Sequence, residues 1–201
     1  VTARQRAVSI AAWIAAQPNG CLLPTPLSGR SLELIAIQQN HFAIETGMTK
    51  PLMAQIEAIS GDNPAMAEHL ATRVRTAHLW TEGAEFPAMP LLVHDGMGSA
   101  GPAATAIPQA LANQTPMLFT GHLPDGSPAA IAYESGKAEW IRLPTHPTLD
   151  ENIQLWKNLG KPRVFGHSCS ANDMADLGKH IHNLDTTVRT GQTHTLEGKH
   201  S

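Results

Sequence analysis

Aromatic side chains are scarce in this chain: four Phe, four Trp and one Tyr make up 4% of 201 residues. Hydrophobic residues still reach 42%, so the interior has to be built from Leu, Ile, Val, Ala and Met. No run approaches the roughly 20 apolar residues that a membrane-crossing helix needs, and Val1 to Ser9 lack a basic-then-apolar signal pattern. The expectation is a soluble, cytoplasmic protein with no membrane partner. Cysteine is nearly missing as well. Cys21 and Cys169 lie far apart without metal-type spacing, which points to free thiols in a reducing compartment. Neither sign of charge dominates: a net charge of −3 and a pI near 6.4 argue against nucleic-acid binding through one large basic surface, while leaving room for a local phosphate site.

Histidine, by contrast, is plentiful. Eleven occur, with His167, His180, His182, His194 and His200 late in the chain. None form an H-x-x-x-H pair for one helix face, and His180 and His182 would diverge on a helix. Scattered surface and core histidines are the plainer reading.

The length suits one large domain or a domain with an appendage, and apolar runs alternate with helical patterns. Val8, Ala11, Ala12 and Ala15 repeat at helical spacing over Arg6–Ala16, until Pro18-Asn19-Gly20 stops them. A buried strand follows at Cys21–Leu23, then a helix over Ser31–Gln39 and a strand over His41–Glu45. Two helices are expected at Pro51–Ser60 and Pro64–Thr76, the second with Asp62 or Asn63 as cap. Leu91–Val93, a helix over Ala103–Leu111 and a strand over Met117–Thr120 continue the beat. This alternation predicts an α/β fold: a three-layer, Rossmann-like, mostly parallel sheet with helices on both faces.

Three of the expected strands run into loops rich in small residues. Leu22 to Leu34 reads as a strand end, a proline-stiffened turn and a helix opening at Ser28-Gly29 with Arg30 in its first turn, which places backbone N–H groups and a cation beside a phosphate. The others are His94 to Pro102 and Gly121 to Ser127. In parallel sheets, ligands bind where strand ends meet helix starts. Each loop has a bland interpretation too: a glycine after a strand is usually a tight turn, and Arg30 can pair with Glu33 or at the sheet edge.

Taken in order, these loops carry a resemblance. Gly20-Cys21-Leu22-Leu23-Pro24-Thr25-Pro26-Leu27-Ser28-Gly29-Arg30-Ser31-Leu32-Glu33-Leu34 resembles the G-x-L-I-P-x-F-A-x-G-R-x-Q-E-L segment of the β-CASP domain, found in metallo-β-lactamase-fold nucleases such as ribonuclease J and the pre-mRNA 3′-end endonuclease. Gly96-Met97 followed by Gly101-Pro102 resembles the family's S-G-M-x-x-G-G/P loop. Thr120-Gly121-His122 with Gly126-Ser127 resembles its x-G-Y-x-x-x-G-T. Order and spacing hold across about residues 5–135. Beyond them, Ser170-Ala171-Asn172-Asp173 resembles motif B with Asn172 where the histidine belongs, and His194 falls at about the motif C distance; a shift of frame, or His167 in compensation, is the alternative.

The resemblance implies a β-CASP domain over residues 1–162 and a return segment over 163–201 leading toward a metallo-β-lactamase domain. That partner domain would supply His-x-His-x-Asp-His and hold two zinc ions, and no such motif occurs in these residues. No cofactor is therefore expected in this chain alone. A fragment, an excised piece and a natural solitary domain all fit. The implied function is a lobe that clamps RNA, or single-stranded DNA, over a metal-dependent phosphodiester hydrolase site, with a homodimer as a further partnership. Ser28, Gly29, Arg30, Ser31, Gly96, Gly121 and Ser170 would bind substrate. Asn172 and His194 would face the reacting phosphate, with His194 approaching a metal held by the other lobe. Asparagine cannot give up a proton as an imidazolium can, so a degenerate, non-catalytic scaffold is the alternative. A stand-alone Rossmann-like oxidoreductase is disfavoured, because no G-x-G-x-x-G followed by a ribose-binding carboxylate appears.

Overall fold

The computed structural model describes residues 3–143, 149–166 and 171–187, and the chain divides into two compact units, residues 1–145 and 146–201. In the first unit, α1 (Ala3–Ala15) turns Ile10 and Ile14 inward. Buried strand β1 (Cys21–Pro24), α2 (Arg30–Ile37) and β2 (Ala43–Glu45) follow, then a 3-10 turn (Thr46–Met48) that runs straight into α3 (Thr49–Ile59). Next come α4 (Pro64–Thr76), β3 (His78–Trp80), β4 (Pro90–Val93), α5 (Ala103–Asn113), β5 (Leu118–Phe119), α6 (Pro128–Glu134) and β6 (Glu139–Trp140). The start of α4 has an evident cause: Asn63 Oδ1 accepts the Met66 N–H at 3.1 Å, and Pro64 occupies the first turn.

Among the described residues every strand pairing is parallel. Leu22 sits opposite Leu91 and Leu23 opposite Leu92 in the β1–β4 pair, Ile44 opposite Leu92 between β2 and β4, and Ile44 opposite Leu79 between β2 and β3. β5 joins beside β1 through a parallel bridge of Leu22 to Met117, and β6 pairs with β5. The order across the sheet is therefore β3-β2-β4-β1-β5-β6. Side-chain alternation splits the core in two. Cys21, Leu23, Ile44, Leu92 and Leu118 meet Ile10, Leu34, Leu52, Ile56 and Leu70 from α1 to α4. Leu22, Ala43, Leu91, Val93, Met117 and Phe119 meet Ala103, Ala106, Ile107, Ala110, Ala129 and Ala132 from α5 and α6. The protein is an α/β fold with a parallel sheet sandwiched between helices, and strands apolar on both faces are what such burial demands.

The second unit is smaller. It contains α7 (Leu149–Asn158), β7 (Val164–Phe165), α8 (Ala171–Gly178) and β8 (Leu184–Asp185), with β7 and β8 parallel. Trp156 is buried there, and its indole N–H donates to Pro162 O at 3.0 Å. Arg163 pairs with Asp185, whose carboxyl is held well below its ordinary range by hydrogen bonds from the Thr187 side chain and from Arg163. By this division α7 belongs to the second unit.

Candidate functional site

Chain direction sets one edge of the sheet apart. From β1 the chain crosses through α2 toward β2 and β3; from β4 it crosses through α5 toward β5 and β6. A constant crossover hand then puts the two sets of helices on opposite faces, as their packing shows. Because β1 and β4 are neighbours, the loops after them diverge. That is a topological switch point, where ligands bind in sheets of this kind.

Unsatisfied polar groups collect along the same edge. Buried polar side-chain atoms nearly always have hydrogen-bond partners, and each exception asks for a reason. Seven lack one among the described residues. Four of them, Thr25 Oγ1, Glu45 Oε2, His94 Nδ1 and Thr120 Oγ1, belong to residues at the end of, or one position beyond, β1, β2, β4 and β5. A fifth, Thr49 Oγ1, opens α3 just after β2. An unpaired buried polar group costs about 1–3 kcal/mol, so groups clustered in this way mark the edge as a place for bound water or a ligand. Glu45 and His94 face each other, with Oε2 3.3 Å from Nδ1, although the contact does not meet hydrogen-bond geometry. The other Glu45 oxygen, Oε1, accepts the Gly47 N–H at 2.7 Å.

The sequence-derived residues are partly assembled here. Arg30 is half-buried at the start of α2; its Nε donates to Leu143 O at 3.1 Å, and a Cβ on Gly121 would lie 2.9 Å from its Nη1. Burial lowers the guanidinium pKa, opposed by the neighbouring Glu33 carboxylate and assisted by Arg142. Arg30 thus ties the loop after β1 to the segments after β5 and β6. Gly96 lies against the loop after β1, where a Cβ would sit 3.0 Å from Pro26 Cδ. Ser28 and Gly29 are exposed, but the Gly29 N–H donates to Gln55 Oε1 at 3.0 Å and does not stand open to a phosphate. Ser31 is fully buried and donates its hydroxyl to Leu27 O at 3.1 Å, so its side chain supports the turn from within. In the second unit Asn172 is exposed on α8. Ser170, His167 and His194 lie outside the described residues.

Sequence reading passed over three features. Gly96-Met97-Gly98-Ser99-Ala100-Gly101 spells G-x-G-x-x-G between a parallel strand and a helix. Its phosphate-cradling amides are occupied, however: Asp95 Oδ1 accepts the Met97 and Gly98 N–H groups at 2.6 and 2.7 Å, and β5 is followed by Thr120, not by a ribose-binding carboxylate. The pattern was legible and the dinucleotide function it suggests is not supported. Trp140 on β6 donates its indole N–H to Gly121 O at 2.8 Å, bracing that loop. The Glu45–His94 pair had no sequence signal, since only parallel register brings these strand ends together.

Among the described residues, no three His, Cys, Asp or Glu side chains group closely enough to hold a metal ion, so the implied zinc pair finds no ligand set among them. A groove of about 710 Å³ lies elsewhere, lined by Val8, Ala11, Ala12, Ile37, His41 and Met89. It opens toward the amino ends of the strands and contains none of the sequence-derived residues. The chain matches no family model and no curated protein.

Proposed function

We propose that this chain is a nucleic-acid-clamping β-CASP lobe of a metal-dependent phosphodiester hydrolase acting in RNA processing. The metal ions and their ligands would come from a metallo-β-lactamase domain outside these residues. The observation that carries this reading is convergence: the loops holding Arg30, Gly96 and Gly121 follow β1, β4 and β5 and meet at one carboxyl edge. Within the lobe, Arg30 and the loop backbones would orient phosphates, while chemistry by bridged water and metal ions would belong to the partner domain. The test is fluorescence anisotropy of a labelled single-stranded RNA titrated with the chain at low ionic strength, where phosphate contacts are strongest. Salt-dependent binding that weakens in Arg30→Ala supports the reading; absence of binding by the wild-type chain overturns it.

A second reading, a non-catalytic β-CASP scaffold, is favoured by Asn172 standing where the resemblance expects histidine. Its amide can accept or donate a hydrogen bond but cannot deliver a proton at neutral pH. Zinc-supplemented cleavage assays on the protein encoded by the complete gene separate the two. RNA cleavage supports the hydrolase, and binding without cleavage supports the scaffold.

A further inference from the structure

We propose that His94, oriented by Glu45, contacts a backbone phosphate of single-stranded nucleic acid at the switch point. This rests on the nucleic-acid reading above and adds a residue pair to it. Nothing in the loop resemblance assigns either residue a role. The argument begins with cost. Glu45 is a carboxylate with 8% of its surface exposed, and its Oε2 has no hydrogen-bond partner while facing an equally unpartnered imidazole nitrogen. A buried carboxylate is retained against its desolvation penalty only where it is paired, and here its counterpart is His94.

Geometry then says what the pair can do. Without a hydrogen bond, the Glu45 carboxylate 3.3 Å from Nδ1 favours the ring's proton on that nitrogen by its charge, leaving Nε2 as the working atom. The His94 side chain keeps 24% exposure although Nδ1 is buried, so its accessible surface lies on the rest of the ring. Gly101 packs against that side: a Cβ there would stand 3.0 Å from both Cδ2 and Nε2 and cover the nitrogen, and glycine has none. Below the ring, His94 O accepts the first N–H of α5, from Ala103, at 2.7 Å, which fixes the residue to the helix start. The charged groups around the ring are Glu45 from β2 and Asp95 beside it in its own loop, the latter engaged by the Met97 and Gly98 amides; Gly101 and Ala103 bring none. A protonated ring would carry an Nε2–H beside Gly101 while Glu45, 3.3 Å from Nδ1, balances its charge. A phosphate oxygen is the acceptor that such a donor suits best.

The test uses the whole chain and a labelled single-stranded RNA. Wild type should bind several-fold more tightly at pH 6 than at pH 8. His94→Gln should weaken binding at pH 6 by about tenfold, the worth of one charge-assisted hydrogen bond, and flatten the pH profile. Glu45→Gln can keep its Gly47 contact and should flatten the profile as well, so the test survives a His94 variant that fails to fold. Imidazole ¹⁵N spectra at pH 8 supply an independent readout. The Nδ1–H form is expected for His94 in wild type, with a shift toward Nε2–H in Glu45→Gln. Inorganic phosphate is the control anion and should perturb the His94 ring only at concentrations far above those of RNA. RNA binding that is unchanged in both variants overturns the His94 role while leaving the clamp reading intact. No RNA binding by wild type overturns both, and equal or tighter response to inorganic phosphate overturns the assignment to nucleic acid.

Discussion

Cys21 is 2% exposed within β1, and burial pushes its thiol pKa from 9.0 up to about 12. The thiolate is the reactive species, so iodoacetamide at pH 8 should leave native Cys21 unmodified and label it only after denaturation; rapid native labelling would contradict its burial. The linkage has a definite sign. A raised folded-state value contributes stability that is full below pH 9 and is lost as pH climbs toward 12, because the unfolded chain ionises first. Arg30 offers a second test at this scale. Gly121→Ala puts a Cβ against the movable end of Arg30, so RNA affinity should fall as predicted for Arg30→Ala, with a melting temperature close to wild type; unchanged affinity would detach Gly121 from the proposed site. A cation in the first turn of α2 was legible from sequence, and so was the possibility that it serves structure. Its partner Leu143 O lies far along the chain beyond β6, and no local pattern identifies such a carbonyl. The burial of Ser31 was hidden for a similar reason: a serine in a first helical turn reads as a surface donor until the turn is seen to fold over it.

The helices and strands owe their boundaries to caps and apolar runs. Asn63→Ala should lower stability by about 1 kcal/mol through loss of the α4 cap, measurable as a shift in urea midpoint at constant slope; no shift would mean that the bond to Met66 N–H contributes nothing. Leu92→Ala should cost about 2–5 kcal/mol, because Leu92 is fully buried in β4 between β1 and β2. A smaller loss would show that the helices collapse into the gap. Where a cap and a periodic face coincide, sequence reading located the element well: Pro64–Thr76 matches α4 end to end, and Ala103 does begin α5. Short elements escaped it. β3 spans three residues with two exposed, too little for an alternation to register. α6 is a seven-residue helix whose Ser127 cap and Pro128 were available as signals, but its alanine-rich stretch carries little periodicity. β6 is two exposed residues defined only by pairing with β5.

For the whole molecule, sequence alternation was enough to read a parallel α/β fold, since parallel strands buried on both faces need apolar runs separated by helices. It could not give strand order, and strand order is what creates the site: β1 and β4 become neighbours only because β4 inserts between β1 and β2. The loops holding Arg30, Gly96 and Gly121 are thereby brought to a common edge, together with Thr25, Glu45, His94 and Thr120, each of which has a buried polar atom without a partner. The groove beside α1 lies at the opposite ends of the strands. The central claim is that nucleic acid binds at the carboxyl edge of the sheet. Amide chemical-shift mapping of the ¹⁵N-labelled chain with single-stranded RNA tests it most directly. The account predicts saturable shifts at residues 25–30, 94–101 and 121–127 with little change at 37–41 and 88–90. Shifts confined to the groove beside α1, or none at saturating RNA, would contradict it.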